Sequence, residues 1–208
     1  MINKHASSKN SMPQMALFGS GTKAVYEHHY FFALCPDEQV REQLCQAADD
    51  LRKNHGIDGS WIGRDRYYLS LHHLGQFPDA RSDLVSRAMT AASKIQARSF
   101  TIKLDQFMSL DSKTGKYPFV LNSADESPEL KHFWQLLKNN LLAVRLGEYL
   151  NDNFKASSTL LYTRQPVAKF FLPEPIQWPV RDFVLIESLV GKSEYIELGR
   201  WPLADITK

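Results

Sequence analysis

Two segments with matching patterns constrain this chain more than any other feature of its sequence. Residues 67–75 read Tyr-Tyr-Leu-Ser-Leu-His-His-Leu-Gly, and residues 154–161 read Phe-Lys-Ala-Ser-Ser-Thr-Leu-Leu. In each segment a hydroxyl residue stands two positions after another polar residue. Successive side chains of a β-strand point to opposite faces, so residues two apart share a face. We therefore expect two strands that both present hydroxyl groups to a common space.

The hydrophobic pattern predicts strands and helices that alternate along most of the chain and end in a hairpin. The predicted strands are 26–35, 66–74, 100–110, 117–122 and 156–162, the helices start at 36, 78 and 127, and the hairpin pairs 182–190 with 194–201. The proline-rich stretch between residues 166 and 179 is predicted to be a loop. We expect an α+β fold with two similar lobes, in which largely antiparallel sheets and outer helices surround a central cleft.

Length and composition favour one globular domain. The chain has 208 residues, of which 43% are hydrophobic, and a net charge of +2. This charge is too small for a protein that follows a long stretch of nucleic acid. Residues 1–23 are polar and lack the apolar core of a signal peptide, so we predict a flexible N-terminal extension followed by a single domain over 24–208. No apolar run is long enough to span a membrane, and we expect a cytoplasmic protein.

The two segments resemble the halves of the two-histidine (2H) phosphoesterase signature, His-x-Thr/Ser-x. They are similar to the bacterial 2′,5′ RNA ligase and RNA 2′,3′-cyclic phosphodiesterase (LigT-like) family, and the stretch from Phe183 to Leu203 is similar to the end of one bacterial subgroup. The resemblance implies phosphoryl chemistry without a metal or cofactor. One histidine takes a proton from the attacking hydroxyl, the other protonates the leaving oxygen, and the hydroxyl side chains hold the phosphate.

Both histidine positions of the signature are substituted in this chain. The alignment places Tyr68 and Ser157 at these positions, while Ser70 and Thr159 retain the hydroxyl positions. A tyrosine that titrates near 10 is a poor base at neutral pH, and a serine needs an activating neighbour. Loss of both histidines lowers the rate by at least ~10³-fold. The resemblance therefore implies degenerate catalysis in a cleft that still binds a nucleotide or RNA end bearing a (cyclic) phosphate.

One further histidine is a candidate for this cleft. None of the seven histidines follows position 132, and regular alternation puts His72 on the same face as Ser70. We therefore predict that His72 donates a hydrogen bond to the ligand, and it is the possible catalytic stand-in. The adjacent pairs His28–His29 and His72–His73 split to opposite faces of their strands, so neither pair can chelate one metal. We expect no metal site.

The sequence leaves three functions open, and it does not decide whether the chain is an enzyme. The first is a binding protein with a decayed phosphodiesterase site, in which Ser70 and Thr159 hold phosphate oxygens. The second is a slow cyclic phosphodiesterase that uses His72 together with Tyr68 as proton donor. The third is a protein-interaction module in which the cleft is unused.

Overall fold

A computed structural model describes residues 26–125, 127–152, 154, 156–192 and 194–205. The predicted N-terminal extension, residues 1–23, lies outside the described residues. The strands and helices are, in chain order, β1 (Glu27–Leu34), α1 (Glu38–Asn54), β2 (Ser60–Trp61), β3 (Leu69–Phe77), α2 (Ser82–Ala92), β4 (Phe100–Ser109), β5 (Tyr117–Asn122), α3 (Pro128–Ala143), β6 (Ser157–Thr163), β7 (Phe170–Val180), β8 (Asp182–Val190) and β9 (Glu194–Pro202). None of the helices in these ranges is long and apolar enough to cross a membrane.

The strands of the described ranges form one sheet. Their order is β7-β4-β5-β6-β3-β1-β8-β9, with β2 beside β6, and all pairs between these strands are antiparallel. The predicted α+β fold with antiparallel strands and outer helices is therefore confirmed. The division into two lobes around a cleft stays a prediction, since both halves of the chain contribute to the same sheet.

The three α-helices pack on one face of the sheet, where they build the main hydrophobic core. Two helix starts are fixed locally: the Asp37 carboxylate accepts a hydrogen bond from the Val40 amide, and the Ser127 hydroxyl accepts one from the Leu130 amide. These caps satisfy amides that have no partner within the helix, which stabilises each helix by about 1 kcal/mol. The apolar stripe of each helix then faces the sheet.

The opposite face of the sheet, here called the open face, carries a much smaller apolar cluster. It consists of residues from β1 and β8, which alternate with the core residues of the same strands: Phe31, Ala33, Val184 and Ile186. Partly buried residues pack against this cluster, and they are Cys35, Tyr68 and Tyr195. No helical residue of the described chain belongs to the cluster. These four residues are buried against neighbouring strand side chains instead of against a helix of the described chain.

The two halves of the sheet meet between the two strands that carry the motifs. β3 and β6 are joined by the antiparallel pair Leu69–Ser158, and both of these residues are fully buried on the helix-covered side. We call this junction the seam. Because side chains alternate along each strand, the residues that flank this pair point to the open face. The fold thus places the two motifs side by side.

The proline-rich stretch differs from its prediction. It contains β7, which pairs along β4 at the outer edge of the sheet and includes Pro173, Pro175 and Pro179. Proline cannot donate a backbone hydrogen bond, and it is tolerated on an edge strand because one side of that strand needs no partner. The predicted loop was wrong because the apolar residues Ile176, Trp178 and Val180 bury against the core.

Candidate functional site

The hydroxyl residues of both motifs border one cavity on the open face of the seam. The pair Leu69–Ser158 sets Ser70 beside Ser157 across the strands. These two residues and Thr159 line a cavity of about 270 Å³, here called the seam cavity. Its remaining lining residues come from β3 and from the segments around the second motif: Leu71, His72, His73, Leu110, Pro118, Asn151 and Phe154. Strands that are far apart in sequence therefore bring the predicted hydroxyl groups together.

Tyr68 lies on the open face but outside the lining of the seam cavity. Its ring packs 4.9 Å from Phe31 and 5.6 Å from Tyr195, measured between ring centroids. Its hydroxyl lies 3.4 Å from the Tyr195 hydroxyl, a long contact. Burial raises the pKa of Tyr68, and the neighbouring Tyr195 adds to this effect. At neutral pH the phenol is therefore protonated, so it can donate a proton but cannot serve as a base.

Strand β3 contains two irregularities where it pairs with β1. Phe32 pairs with His72 and Ala33 with Ser70, so Leu71 is an extra residue, and a second shift makes Leu74 extra before Gly75. Such bulges reverse the alternation of side chains beyond them. Gly75 has a φ of 105°, and a Cβ at this position would lie 2.8 Å from the Phe77 ring. Only glycine adopts this backbone without strain.

The bulge at Leu71 overturns the predicted orientation of His72. His72 pairs with the core residue Phe32 and is only 2% exposed, so it does not share the open face with Ser70. Its ring stacks 4.6 Å from Trp134, and its Nε2–H donates to the Trp134 carbonyl at 3.0 Å. Desolvation lowers the pKa of His72 to about 4, so the imidazole is neutral at pH 7. His72 borders the seam cavity, but its Nε2–H is already used in the hydrogen bond to the Trp134 carbonyl.

The same bulge brings His73 to the open face, whereas regular alternation predicts the opposite face. His73 pairs with Phe31, and its Nδ1 lies 3.0 Å from Nε2 of His29 on β1. The two imidazole rings are stacked with their centroids 5.1 Å apart. The sequence contained one signal for this arrangement: Leu71 and Leu74 are both apolar, and a regular strand would place them on opposite faces.

Local desolvation by the neighbouring rings affects the protonation of both histidines, although the His73 side chain is exposed at the surface. Desolvation lowers the pKa of His29 to about 4, and the adjacent His73 lowers it further. Desolvation also lowers the pKa of His73. Both rings are therefore neutral at pH 7, and the hydrogen bond between them carries a single proton. Among the residues that the structure describes, no group of three or more His, Cys, Asp or Glu is placed to hold a metal ion.

Solved structures share this fold. The chain is similar to Escherichia coli LigT complexed with 3′-AMP, with 21% identity and a TM-score of 0.65 over 86% of this chain and 98% of that chain. It is similar to a phosphoesterase, with 22% identity and a TM-score of 0.66 over 85% of this chain and 99% of that chain. It is also similar to protein TT0787 of Thermus thermophilus, with 18% identity and a TM-score of 0.68 over 86% of this chain and 100% of that chain.

The similarity covers nearly the whole of these proteins and shows that the chain has the LigT-type phosphoesterase fold. E. coli LigT has also been crystallised with ATP, with NADP+ and with phosphate. No family model matches the sequence. No curated protein matches it either.

Proposed function

We propose that this chain, which has the LigT-type fold, is a cytoplasmic protein that binds a nucleotide or RNA end through its phosphate in the seam cavity. The observation that carries the proposal is the convergence of Ser70, Ser157 and Thr159 on one cavity between the two motif strands. Hydroxyl groups donate hydrogen bonds to phosphate oxygens without requiring a metal. The solved structures of E. coli LigT with 3′-AMP and with phosphate support a phosphate-bearing ligand.

We further propose that catalysis of the 2H phosphoesterase type is degenerate in this chain. In an antiparallel pair, residues on the diagonal lie about 7–8 Å apart, and Tyr68 and Ser157 form such a diagonal across the seam. Two imidazoles on this diagonal could act on opposite sides of one phosphate. Tyr68 instead packs against Phe31. At the other end of the diagonal stands Ser157, and the described residues of its strand that line the cavity include no histidine.

A slow cyclic phosphodiesterase that uses His72 with Tyr68 is the second candidate function. Its support is that His72 borders the seam cavity. Two features argue against it: the His72 Nε2–H already donates to the Trp134 carbonyl, and Tyr68 lies outside the lining of the cavity. Turnover of 2′,3′-cyclic AMP that is lost in both His72→Ala and Tyr68→Phe would favour this candidate.

A non-enzymatic interaction module is the third candidate, and the packing of Tyr68 favours it. The contacts of Tyr68 with Phe31 and Tyr195 fill part of the open face with side chains. The seam cavity beside this cluster remains large enough for a phosphate group. An interaction module that does not use the cavity would show no binding of small phosphate ligands.

Nuclear magnetic resonance titration tests the proposed function directly. The protein is titrated with 3′-AMP and with 2′,3′-cyclic AMP up to millimolar concentration, while the backbone amide shifts are followed. We expect saturable shift changes at Ser70, Ser157 and Thr159 with little change at the far edge strand β7. Adenosine without phosphate serves as the matched ligand control, and it should produce smaller changes. An absence of shifts at the three hydroxyl residues would contradict the proposal.

A further inference from the structure

We propose that His73, oriented by its hydrogen bond to His29, binds an oxygen of the ligand phosphate in the seam cavity. This inference rests on the proposed function and names an additional residue of the same site. The signature that the chain resembles assigns no role to either position. The new element is an imidazole pair on β1 and β3, in which His73 lies three residues after Ser70 in the first segment.

The position of His73 places its ring within reach of the cavity. His73 lines the seam cavity together with Ser70, Ser157 and Thr159, and its side chain is exposed. The bulge at Leu71 gives it the same face as Ser70, which a regular strand would not do. The contact with Nε2 of His29 occupies Nδ1 of His73 and leaves the other ring nitrogen for a ligand.

The direction of the hydrogen bond between the histidines decides whether the other nitrogen of His73 donates or accepts. When His29 donates its Nε2–H, Nδ1 of His73 accepts, and the proton of the neutral His73 ring lies on its Nε2. That N–H can donate to a phosphate oxygen. The His73 ring also packs against two rings of β1, those of His29, with the centroids 5.1 Å apart, and Phe31, with the centroids 5.8 Å apart. His29 is thus a positioning residue, and His73 is the residue that contacts the ligand.

His73 could also supply positive charge to a phosphate in the seam cavity. Among the described residues that line the cavity there is no lysine or arginine. A phosphate anion in the cavity favours the charged form of a nearby imidazole, so its pKa rises on binding. Desolvation lowers the pKa of His73 in the free protein, which leaves the ring neutral and able to take up a proton. Binding of a phosphate would therefore draw a proton onto the pair.

Other titratable groups surround the pair without replacing it. His72 lies next to His73 on β3, and Lys138 of α3 lies near His72; both Lys138 and His73 oppose protonation of the buried His72 ring. Tyr68 and Tyr195 pack against Phe31, with ring centroids 4.9 Å and 6.1 Å from it. The Glu187 carboxylate of β8 accepts hydrogen bonds from Tyr30 and His28, which belong to the alternate face of β1.

The experiment combines His73→Ala, His29→Phe and a matched control, His132→Ala, which removes an exposed histidine of α3. Calorimetry with 3′-AMP measures affinity, and the ring-proton shift of His73 in the unmodified protein reports its pKa with and without 3′-AMP. We expect His73→Ala to weaken binding roughly tenfold or more, the range for a hydrogen bond to a charged group. His29→Phe should weaken binding less, and His132→Ala should leave it unchanged. The pKa of His73 should rise when 3′-AMP binds.

The outcomes separate this inference from the proposed function. If Ser70→Ala weakens binding while His73→Ala does not, and the pKa of His73 stays constant, the inference is wrong and the proposed function stands. If the unmodified protein does not bind 3′-AMP at millimolar concentration, both fail. The pKa measurement on the unmodified protein keeps the test decisive even if a variant does not fold.

Discussion

Ser70 lies beside Ser157 across the seam because Leu69 pairs with Ser158 on the other side of the sheet. One buried residue pair thereby determines the geometry of the whole candidate site. Ser157 stands at the position where the family resemblance implies a histidine. Continued by one residue, the same register would set Tyr68 opposite Thr159.

The hydroxyl groups of the seam cavity should account for a measurable part of ligand affinity. We expect Ser70→Ala and Thr159→Ala each to weaken 3′-AMP binding by about 1–2 kcal/mol, or roughly tenfold, because each removes a hydrogen bond to a charged group. Isothermal calorimetry measures the effect. Thr101→Ala, which changes an exposed strand threonine outside the cavity, is the control and should bind as the unmodified protein does. Equal affinities in all variants would contradict the assignment of the cavity.

Histidines at the two positions that the resemblance implies should create phosphodiesterase activity. The double change Tyr68→His and Ser157→His places imidazoles at both positions of the signature, and each positioned acid or base contributes about 10²–10⁴ in rate. Hydrolysis of 2′,3′-cyclic AMP, followed by chromatography, should rise at least ~10²-fold above the unmodified protein. The two single variants are the controls, and each should give much less activity. No gain in a double variant that folds and binds 3′-AMP would show that the site lacks the required geometry.

Gly75 should be essential for the shape of β3. Gly75→Ala introduces a Cβ at a φ of 105°, 2.8 Å from the Phe77 ring, so we expect a loss of about 1–3 kcal/mol in unfolding free energy. Gly63→Ala is the matched control, since its φ is −68° and the nearest heavy atom to a new Cβ lies at 3.8 Å. Chemical denaturation compares both variants with the unmodified protein. Equal stability of the two variants would refute the role of the left-handed backbone.

The buried imidazole of His72 should make stability depend on pH. Its folded-state pKa is about 4, below the unfolded value near 6.5, so the unfolded chain binds the proton first as the pH falls. Stability is therefore complete above pH 6.5 and decreases toward pH 4, where this residue alone costs about 3 kcal/mol. Denaturation at several pH values measures the slope. His72→Phe preserves a ring beside Trp134 and should show a shallower decrease; an unchanged slope would assign the effect elsewhere.

Much of the fold could be predicted from the sequence because its signals are local. The strand Tyr117–Asn122 and the hairpin of β8 and β9 follow from alternating apolar residues and a turn near Gly191. The start of α1 at Glu38 follows from Pro36 and the capping residue Asp37. β7 was missed because its prolines are tolerated only at a sheet edge, and strand order is not visible in a local pattern.

The motifs predict that Ser70 and Thr159 lie close together, and both residues line the seam cavity, while their role in binding stays a prediction. The choice of His72 over His73 depended on unbroken alternation along β3. The bulges depend on the pairing of β3 with β1, in which Leu71 and Leu74 both bury against the helices. Such tertiary demands override the regular period of a strand.

The three prolines of β7 have a consequence for how copies of this protein meet. A strand that adds to a sheet needs backbone donors along the rim that it joins, and Pro173, Pro175 and Pro179 remove three of them. Intermolecular β-pairing is therefore discouraged at this edge, and β9 forms the opposite edge of the sheet. The prolines that conceal this strand in the sequence thus disfavour edge-to-edge pairing between copies of the protein.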